Sequence, residues 1–520
     1  MEALENSFVQ LLLDSDEEAD NEDVSAAPDG LLADAVESSD DEDSEGESDA
    51  GWSSTIVQPN VVPFTEDSGI QNDDVYAFSN PMSFYKLFMT DDLVKLVIEE
   101  SNRYGSAKYS TWSVLEEQEF HKFLAICFHM SIEKRSSLKE YWSTRVIYSG
   151  SFAARLMTRN RFIEILNSLH FADNDTSDKS NRLYKVQPVI DSMNKAFGDV
   201  YKPEKDICID ETMMPFRGKV MFRQYIHGKR HKYGIKLYKL CSNGGYTCRF
   251  MVYAGKLPNR TCPVAEHVVM QLMQPYLQSG RILTGDNFYS SIPLARKLLE
   301  HDVYYLGTIR KNRIGIPAEV KTKKLKKGEV IARQDEYGVT VLKWKDKREL
   351  YMISSFLDDT VNDANKPVMV ERYNKSKGFV DLSDQMTAYT PFIRKTSKWY
   401  LRLFCYLIFQ TAVVNAWYIY SLVNEKISIR EFKSRIIESI LDGQISTQAT
   451  VRHQLRTVPG PKREHRSRCV ECYRKLAKEH GASYARTKAS QVNTKCSKCR
   501  KYYCLNCYQL YHKKCSGSLE

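Results

Sequence analysis

Lys205-Asp-Ile-Cys-Ile-Asp210 and Arg281-Ile-Leu-Thr-Gly-Asp286 are two short apolar runs of strand type, and each ends in an aspartate. Between them, 233–241 and 246–253 flank Ser242-Asn-Gly-Gly245 as a hairpin, and Val264, Val268, Leu272 and Tyr276 recur at four-residue steps, a helical stripe. A helix over 292–299 follows the second run. Further on, Asp381-x-x-Asp384 opens another helical stretch from Val380 onward.

Strand, hairpin, helix, strand, then a helix carrying a third acid is the order that a ribonuclease H-like α/β domain requires. In such a domain the first two aspartates sit on neighbouring central strands and the third on a helix laid across them. Three carboxylates gathered in this way suit two Mg²⁺ ions, hard cations that take carboxylate and phosphate oxygen. Two ions about 4 Å apart serve in-line phosphoryl transfer. Asp381 and Asp384 stand one helical turn apart, so both could face the metals. Singly, each acid has a plainer reading, since Asp286-Asn can cap a helix and Asp381-x-x-Asp384 can start one. The ordered set carries the inference.

The flanks are helical. Ser113-x-x-Glu116 reads as a capping box, with Phe120, Phe123, Leu124 and Cys127 at helical spacing behind it; Phe162, Ile165, Leu166 and Leu169 mark a second amphipathic helix ending near Asp173. Residues 308–366 are lysine-rich with β-type runs at 339–344 and 350–356, a β-rich insertion, after which 367–373 resumes a strand. The span 403–422 has no charge and is long enough to cross a bilayer, but it contains Gln410, Thr411, Asn415 and three tyrosines. It reads as a buried core helix, so no membrane association is expected. The chain divides into an acidic disordered region (1–80), helical segments (81–205 and 393–450), two parts of the catalytic core (206–307 and 367–392) around the insertion (308–366), a basic linker (451–467) and a cysteine-rich module (468–516).

Charge is as uneven as structure. The net +8 conceals a head that, up to Tyr85, has 23 acidic and no basic residues; the remainder carries 74 basic and 43 acidic residues, a net +31. A body so basic fits a polyanionic partner, nucleic acid first, with plain solubility as the alternative. Ser15, Ser38 and Ser44 precede acidic runs, the sites that acidophilic kinases modify. No basic and apolar leader occupies 1–10, so no secretory signal is expected and the thiols should be reduced.

Seven of the thirteen cysteines cluster at the end, as Cys469-x₂-Cys472, Cys496-x₂-Cys499, Cys504-x₂-Cys507 and His512-x₂-Cys515. Eight ligands in four pairs fit two structural Zn²⁺ ions. Gaps of four residues between the last three pairs favour an interleaved cross-brace, pairs one and three on one zinc and pairs two and four on the other. His480 reads as solvent-exposed. The basic run 461–468 also suits a nuclear import signal, hence a nuclear location.

Ile209-Asp-Glu-Thr-Met-Met-Pro-Phe-Arg-Gly-Lys219, Lys232-Tyr-Gly-Ile-Lys236, Gly285-Asp-Asn-Phe-Tyr-Ser-Ser-Ile-Pro-Leu-Ala295, Tyr373-Asn-Lys-Ser-Lys-Gly-Phe-Val-Asp-Leu-Ser-Asp-Gln-Met386 and Arg394-Lys-Thr-Ser-Lys-Trp399 resemble the piggyBac family of DDE/D transposases, over about 80–515. The resemblance implies that Asp210, Asp286 and Asp381 are catalytic Mg²⁺ ligands, with Asp384 an auxiliary acid. It also implies a homodimer that binds double-stranded DNA at terminal inverted repeats, nicks and hairpins the transposon ends, and integrates at TTAA targets. The helical segments then form a discontinuous dimerisation and DNA-binding domain around the core. Arg217, Lys219, Arg310, Arg313, Arg394 and Lys395 fall where the family holds DNA, and Trp399 either stacks on a base or packs in the core. Two departures stand out: Gly-Phe-Val-Asp replaces the usual Gly-Gly-Val-Asp, and the tail histidine has moved between ligand pairs. The rival readings are a domesticated, non-cleaving DNA or chromatin binder and a zinc-dependent ubiquitin ligase; the latter accounts for neither the acids nor the basic body.

Overall fold

The computed structural model describes residues 51–148, 151–227, 231–255, 262–392, 396–441, 455–458, 466–496 and 501–511. Eight principal strands form its central sheet: β1 (Asp206–Pro215), β2 (Tyr233–Ser242), β3 (Thr247–Val252), β4 (Ile282–Gly285), β5 (Tyr304–Thr308), β6 (Val330–Asp335), β7 (Thr340–Lys345) and β8 (Glu349–Ser354). Their spatial order is β3-β2-β1-β4-β5-β8-β7-β6, with Trp52–Ser53 added outside β6 and Gln224–Tyr225 beside β2. β2 runs antiparallel to β1 and β3, while β1, β4 and β5 are mutually parallel. Ile207, Cys208 and Ile209 are all buried, because the parallel strands are covered on both faces and need apolar side chains on each.

Parallel pairing of β1 with β4 sets Ile209 beside Gly285, so the next residues, Asp210 and Asp286, stand side by side; Asp286 leaves the end of β4, whereas β1 does not end at Asp210 but runs on to Pro215. Gly285 and Gly307, paired in the β4–β5 ladder, leave no room for a side chain: a Cβ on Gly285 would meet the Tyr305 hydroxyl at 2.6 Å, and one on Gly307 the Ser290 Oγ at 2.4 Å. Beyond β4, Ser291 Oγ accepts from Leu294 N and caps the helix Ile292–Leu299.

The helical segments that precede and follow the sheet in sequence share one core with it, running from Val75 to Ile440. The helix Trp399–Val423, with one π turn at Leu407–Thr411, is almost wholly buried, so the uncharged stretch is core. The Tyr85 hydroxyl donates to the Ile408 carbonyl at 3.3 Å, tying the two helical segments together.

Several local expectations are corrected. Residues 367–373 form no strand; Pro367 leads instead into the helix Val368–Ser376, whose Met369 and Val370 are buried. The Ser113 capping box is not made: the next helix, Glu117–Ile132, starts a turn later without a side-chain cap, and the Ser113 carbonyl accepts from Arg161. The helix expected to end near Asp173 spans Arg159–Ser168. The 308–366 strands are β-rich as read, but they continue the central sheet: β8 pairs with the edge that β5 would otherwise expose. Finally, 51–80 is not disordered. Trp52 and Ser53 pair with Asp335 and Gln334, Gly69 and Ile70 with Lys202 and Tyr201, and Val75 is fully buried. This segment holds four aromatic residues, Trp52, Phe64, Tyr76 and Phe78, and four acidic ones, whereas the 50 residues before it hold one aromatic, Phe8, and 19 acidic ones.

Candidate active site

Ligand oxygens of Asp210, Glu211 and Asp286 lie within 4.8 Å of one another. Asp286 is held by its own turn: Oδ1 accepts from Phe288 N at 2.9 Å and its carbonyl from Ser290 N at 3.2 Å. The Asp210 carboxylate accepts from Glu211 N at 2.7 Å. Burial, reinforced by a hydrogen bond to Asp210 and the charges of Asp210 and Asp286, pushes the Glu211 carboxyl up to about 8. Burial and the Asp210 charge raise that of Asp286, against the opposing N–H groups of Phe288 and Tyr289. Like charges crowded out of water hold protons unless a cation joins them, and a compact set of carboxylate oxygens is what a hard divalent cation binds. The residues present therefore fit such an ion.

Glu211 is the member that sequence reasoning passes over. Strand alternation sends it to the opposite face from Asp210, and only its place in the Asp-Glu-Thr run could have flagged it.

Asp381 lies in the first turn of the helix Phe379–Thr387, hereafter α1, and is exposed; it stands outside the 4.8 Å group. α1 crosses the face of β1 that carries Cys208, Asp210 and Thr212. Val380 packs on Cys208 and Cys241, while Asp384 Oδ1 accepts from Thr212 Oγ1 at 2.8 Å. Asp381 is thus carried over the stretch of β1 that holds Asp210. Burial and then the Asp210 charge hold the Cys208 thiol protonated, and the Asp381 charge adds to both. Asp384, expected as an auxiliary acid facing the metals, is engaged elsewhere: Lys239 Nζ lies 3.0 Å from its Oδ1.

Among the residues expected at DNA, Arg217 and Lys219 are exposed. Arg310 is partly buried, its Nε donating to Asn287 Oδ1 at 3.1 Å. Arg313 departs from the expectation. It is 7% exposed and donates to the carbonyls of Asn287 and Phe288, so it braces the turn behind Asp286. Trp399 packs edge-to-face on Phe222 at 5.1 Å, against the core. Arg394 and Lys395 lie outside the described residues.

In the cysteine module, Sγ atoms of Cys469, Cys472, Cys504 and Cys507 converge within 4.8 Å, pair one with pair three. Cys472 Sγ is 3.8 Å from Cys504 Sγ and 3.5 Å from Cys507 Sγ. A tetrahedral Zn–S site with 2.3 Å arms has edges of about 3.8 Å, so the donors fit zinc. Burial opposes ionisation of Cys469, but the N–H groups of Cys472 and Cys504 lower its pKa overall. Of the second set Cys496 is buried at the end of the strand Thr494–Cys496; Cys499, His512 and Cys515 lie outside the described residues. His480 is largely exposed, as expected.

A mixed sheet that brings carboxylates together from two adjacent parallel strands is compatible with a DDE-type transposase. A family model described as transposase IS4 matches residues 80–417, and the chain belongs to that family as a piggyBac-like protein. It is 27% identical over 478 residues to human piggyBac transposable element-derived protein 3, covering 86% of this chain and 77% of that one. It is 24% identical over 460 residues to human piggyBac transposable element-derived protein 2, with 81% and 77% covered. Among solved structures it resembles a piggyBac transposase synaptic complex with hairpin DNA, at a TM-score of 0.67 and 26% identity, covering 84% of this chain and 98% of that one.

Proposed function

We propose that this chain is an active cut-and-paste transposase with a ribonuclease H-like catalytic core. It binds terminal inverted repeats as a homodimer, nicks each transposon end, lets the freed 3′-hydroxyl attack the opposite strand to form a hairpin, and integrates at TTAA. The observation that carries this reading is the meeting of Asp210 and Asp286 on adjacent parallel strands, with a helix bearing Asp381 across the same face. The similar solved structure, a piggyBac transposase synaptic complex with hairpin DNA, supports a DNA partner and a multimer.

Asp210, Asp286 and Asp381 would hold two Mg²⁺ ions. When bound there, such ions activate a water or 3′-hydroxyl and neutralise charge at the leaving oxygen. The chain's own part is placement and charge. Asp210 is fixed on the central strand, the Phe288 N–H orients Asp286, and the crowded carboxylates reject bare phosphate, so DNA must enter together with cations. Zinc, two ions in all, would build the cysteine module, which has too small a core to fold without metal and serves end recognition. The protein acts in the nucleus, and an acidophilic kinase acting on the head serines would deepen its negative charge.

Incubation with terminal-repeat duplex and Mg²⁺ tests the reading, with nicks and hairpins resolved on denaturing gels. The intact protein should produce both. Asp210→Ala, Asp286→Ala and Asp381→Ala should each abolish nicking while leaving DNA binding largely intact. Tight end binding with no nick from the intact protein would favour the rival, a domesticated DNA or chromatin binder, which the naming of the human relatives as element-derived proteins keeps in view.

A further inference from the structure

Lys239 is the direct cross-strand partner of Asp210 in the β1–β2 ladder. Opposed residues of an antiparallel pair put their side chains on the same face, about 5 Å apart at Cβ. A lysine there is within easy reach of Asp210 and would neutralise the carboxylate that the metal centre needs. Its ammonium turns away instead, 3.0 Å from Asp384 Oδ1 and 2.8 Å from the Tyr406 hydroxyl. The lysine is fully buried, whereas the Asp384 side chain is about one-third exposed. Burial opposes the charged form of Lys239, but Asp384, followed by Tyr406 and Cys241, together outweigh it and raise the pKa above the ordinary lysine value. A buried ammonium thus sits across the ladder from Asp210, held by Asp384 and Tyr406.

We propose that Asp384 is a positioning residue that draws Lys239 off Asp210, so that Asp210 stays free for divalent cations, and is not itself a metal ligand. The proposal rests on the metal-centre reading above. Asp384 also pins α1 onto β1 through Thr212 Oγ1, two residues beyond Asp210 on the same face. One carboxylate therefore does two things: it docks the helix that carries Asp381 and occupies the competing ammonium. Without its charge, the carboxylate directly across the ladder from Lys239 is Asp210.

The test is Mn²⁺ binding to the full-length protein, followed by calorimetry and by the electron paramagnetic resonance signal of the free ion, so that no turnover is required. Asp384→Asn keeps a side chain able to accept from Thr212 but loses the charge, and should weaken Mn²⁺ binding about 10- to 100-fold, the range for residues that act behind metal ligands. Adding Lys239→Met removes the competitor and should bring affinity back to within about threefold of wild type. Asp384→Glu, which keeps the charge, should bind Mn²⁺ nearly as well as wild type. If Asp384→Asn alone does not fold, the double variant still decides, since it leaves no buried ammonium without its partner. A double variant that stays at least tenfold weak would make Asp384 a ligand and overturn the proposal. Asp210→Asn is the control: if it leaves Mn²⁺ binding unchanged, the metal-centre reading fails and this proposal falls with it.

Discussion

His170 lies 4% exposed in the helical body, stacked on Tyr104 with ring centroids 3.6 Å apart and Nδ1 3.3 Å from the Ser168 carbonyl. Burial, and then the neighbouring Lys398 charge, pushes its pKa down to about 4. The sign follows directly. An unfolded histidine takes its proton near pH 6.5 while the folded one refuses it, so stability is full above about 6.5 and is lost as pH falls toward 4. The loss at the low end should reach about 3 kcal/mol. Urea unfolding at pH 7.5, 6 and 5 should show this slope in the wild type and a shallower one in His170→Gln; equal slopes would remove His170 as the cause. The same physics explains which site residues the chain discloses in advance. Asp210 and Asp286 are legible because each closes an apolar run and the two recur in a fixed order of strand, hairpin, helix and strand. Glu211 and Lys239 are not, because alternation assigns Glu211 to the wrong face and a lysine inside a strand reads as solvent-facing.

At the scale of elements, legibility followed periodicity. The hairpin around Asn243–Gly245 and the helix Ile292–Leu299 stand where their patterns put them, since both carry turn or cap residues that fix the backbone locally. The sheet's extension through β6–β8 was hidden because strand pairing is a long-range choice that β propensity alone does not specify. The strap of residues 51–80 was hidden by its acidic company. Besides its strand pairs, Glu66 holds it, accepting from Arg281 Nη1 at 2.5 Å; Arg281 is 0% exposed, donates to the Pro203 carbonyl at 2.9 Å and lies over Phe64 at 5.0 Å. Removing one partner of such a pair leaves a buried cation uncompensated, which costs about 3–5 kcal/mol when both are dry. Glu66 is about one-third exposed, so water offsets part of this. Glu66→Ala should therefore cost about 2 kcal/mol in denaturant unfolding and make the strap the first target of limited proteolysis. Wild-type stability in that variant would show that Phe64 and the Pro203 carbonyl suffice.

The strap also sets the terms for the whole molecule. The first 50 residues hold 19 acidic and no basic side chains, and they join the body at Trp52, on the outer edge of the sheet. A tethered polyanion beside a body of net positive charge competes with DNA for the same lysines and arginines. Cutting at residue 70 would remove the strap and Glu66 as well, confounding charge with stability, so the informative deletion is 1–50. That variant should keep the wild-type unfolding midpoint and bind duplex DNA more tightly. The gain should be greatest near 50 mM salt and fade toward 0.5 M, where the Debye length falls to about 4 Å. Because the free body no longer has to release its own tail, log K against log salt should also steepen, reflecting more phosphate contacts that displace counterions. Glutamate at Ser15, Ser38 and Ser44 in the full chain should shift affinity the opposite way, as phosphate would. Affinity and slope unchanged by the deletion across the salt series would make the head an inert tail, and the basic body's preference for DNA would owe nothing to it.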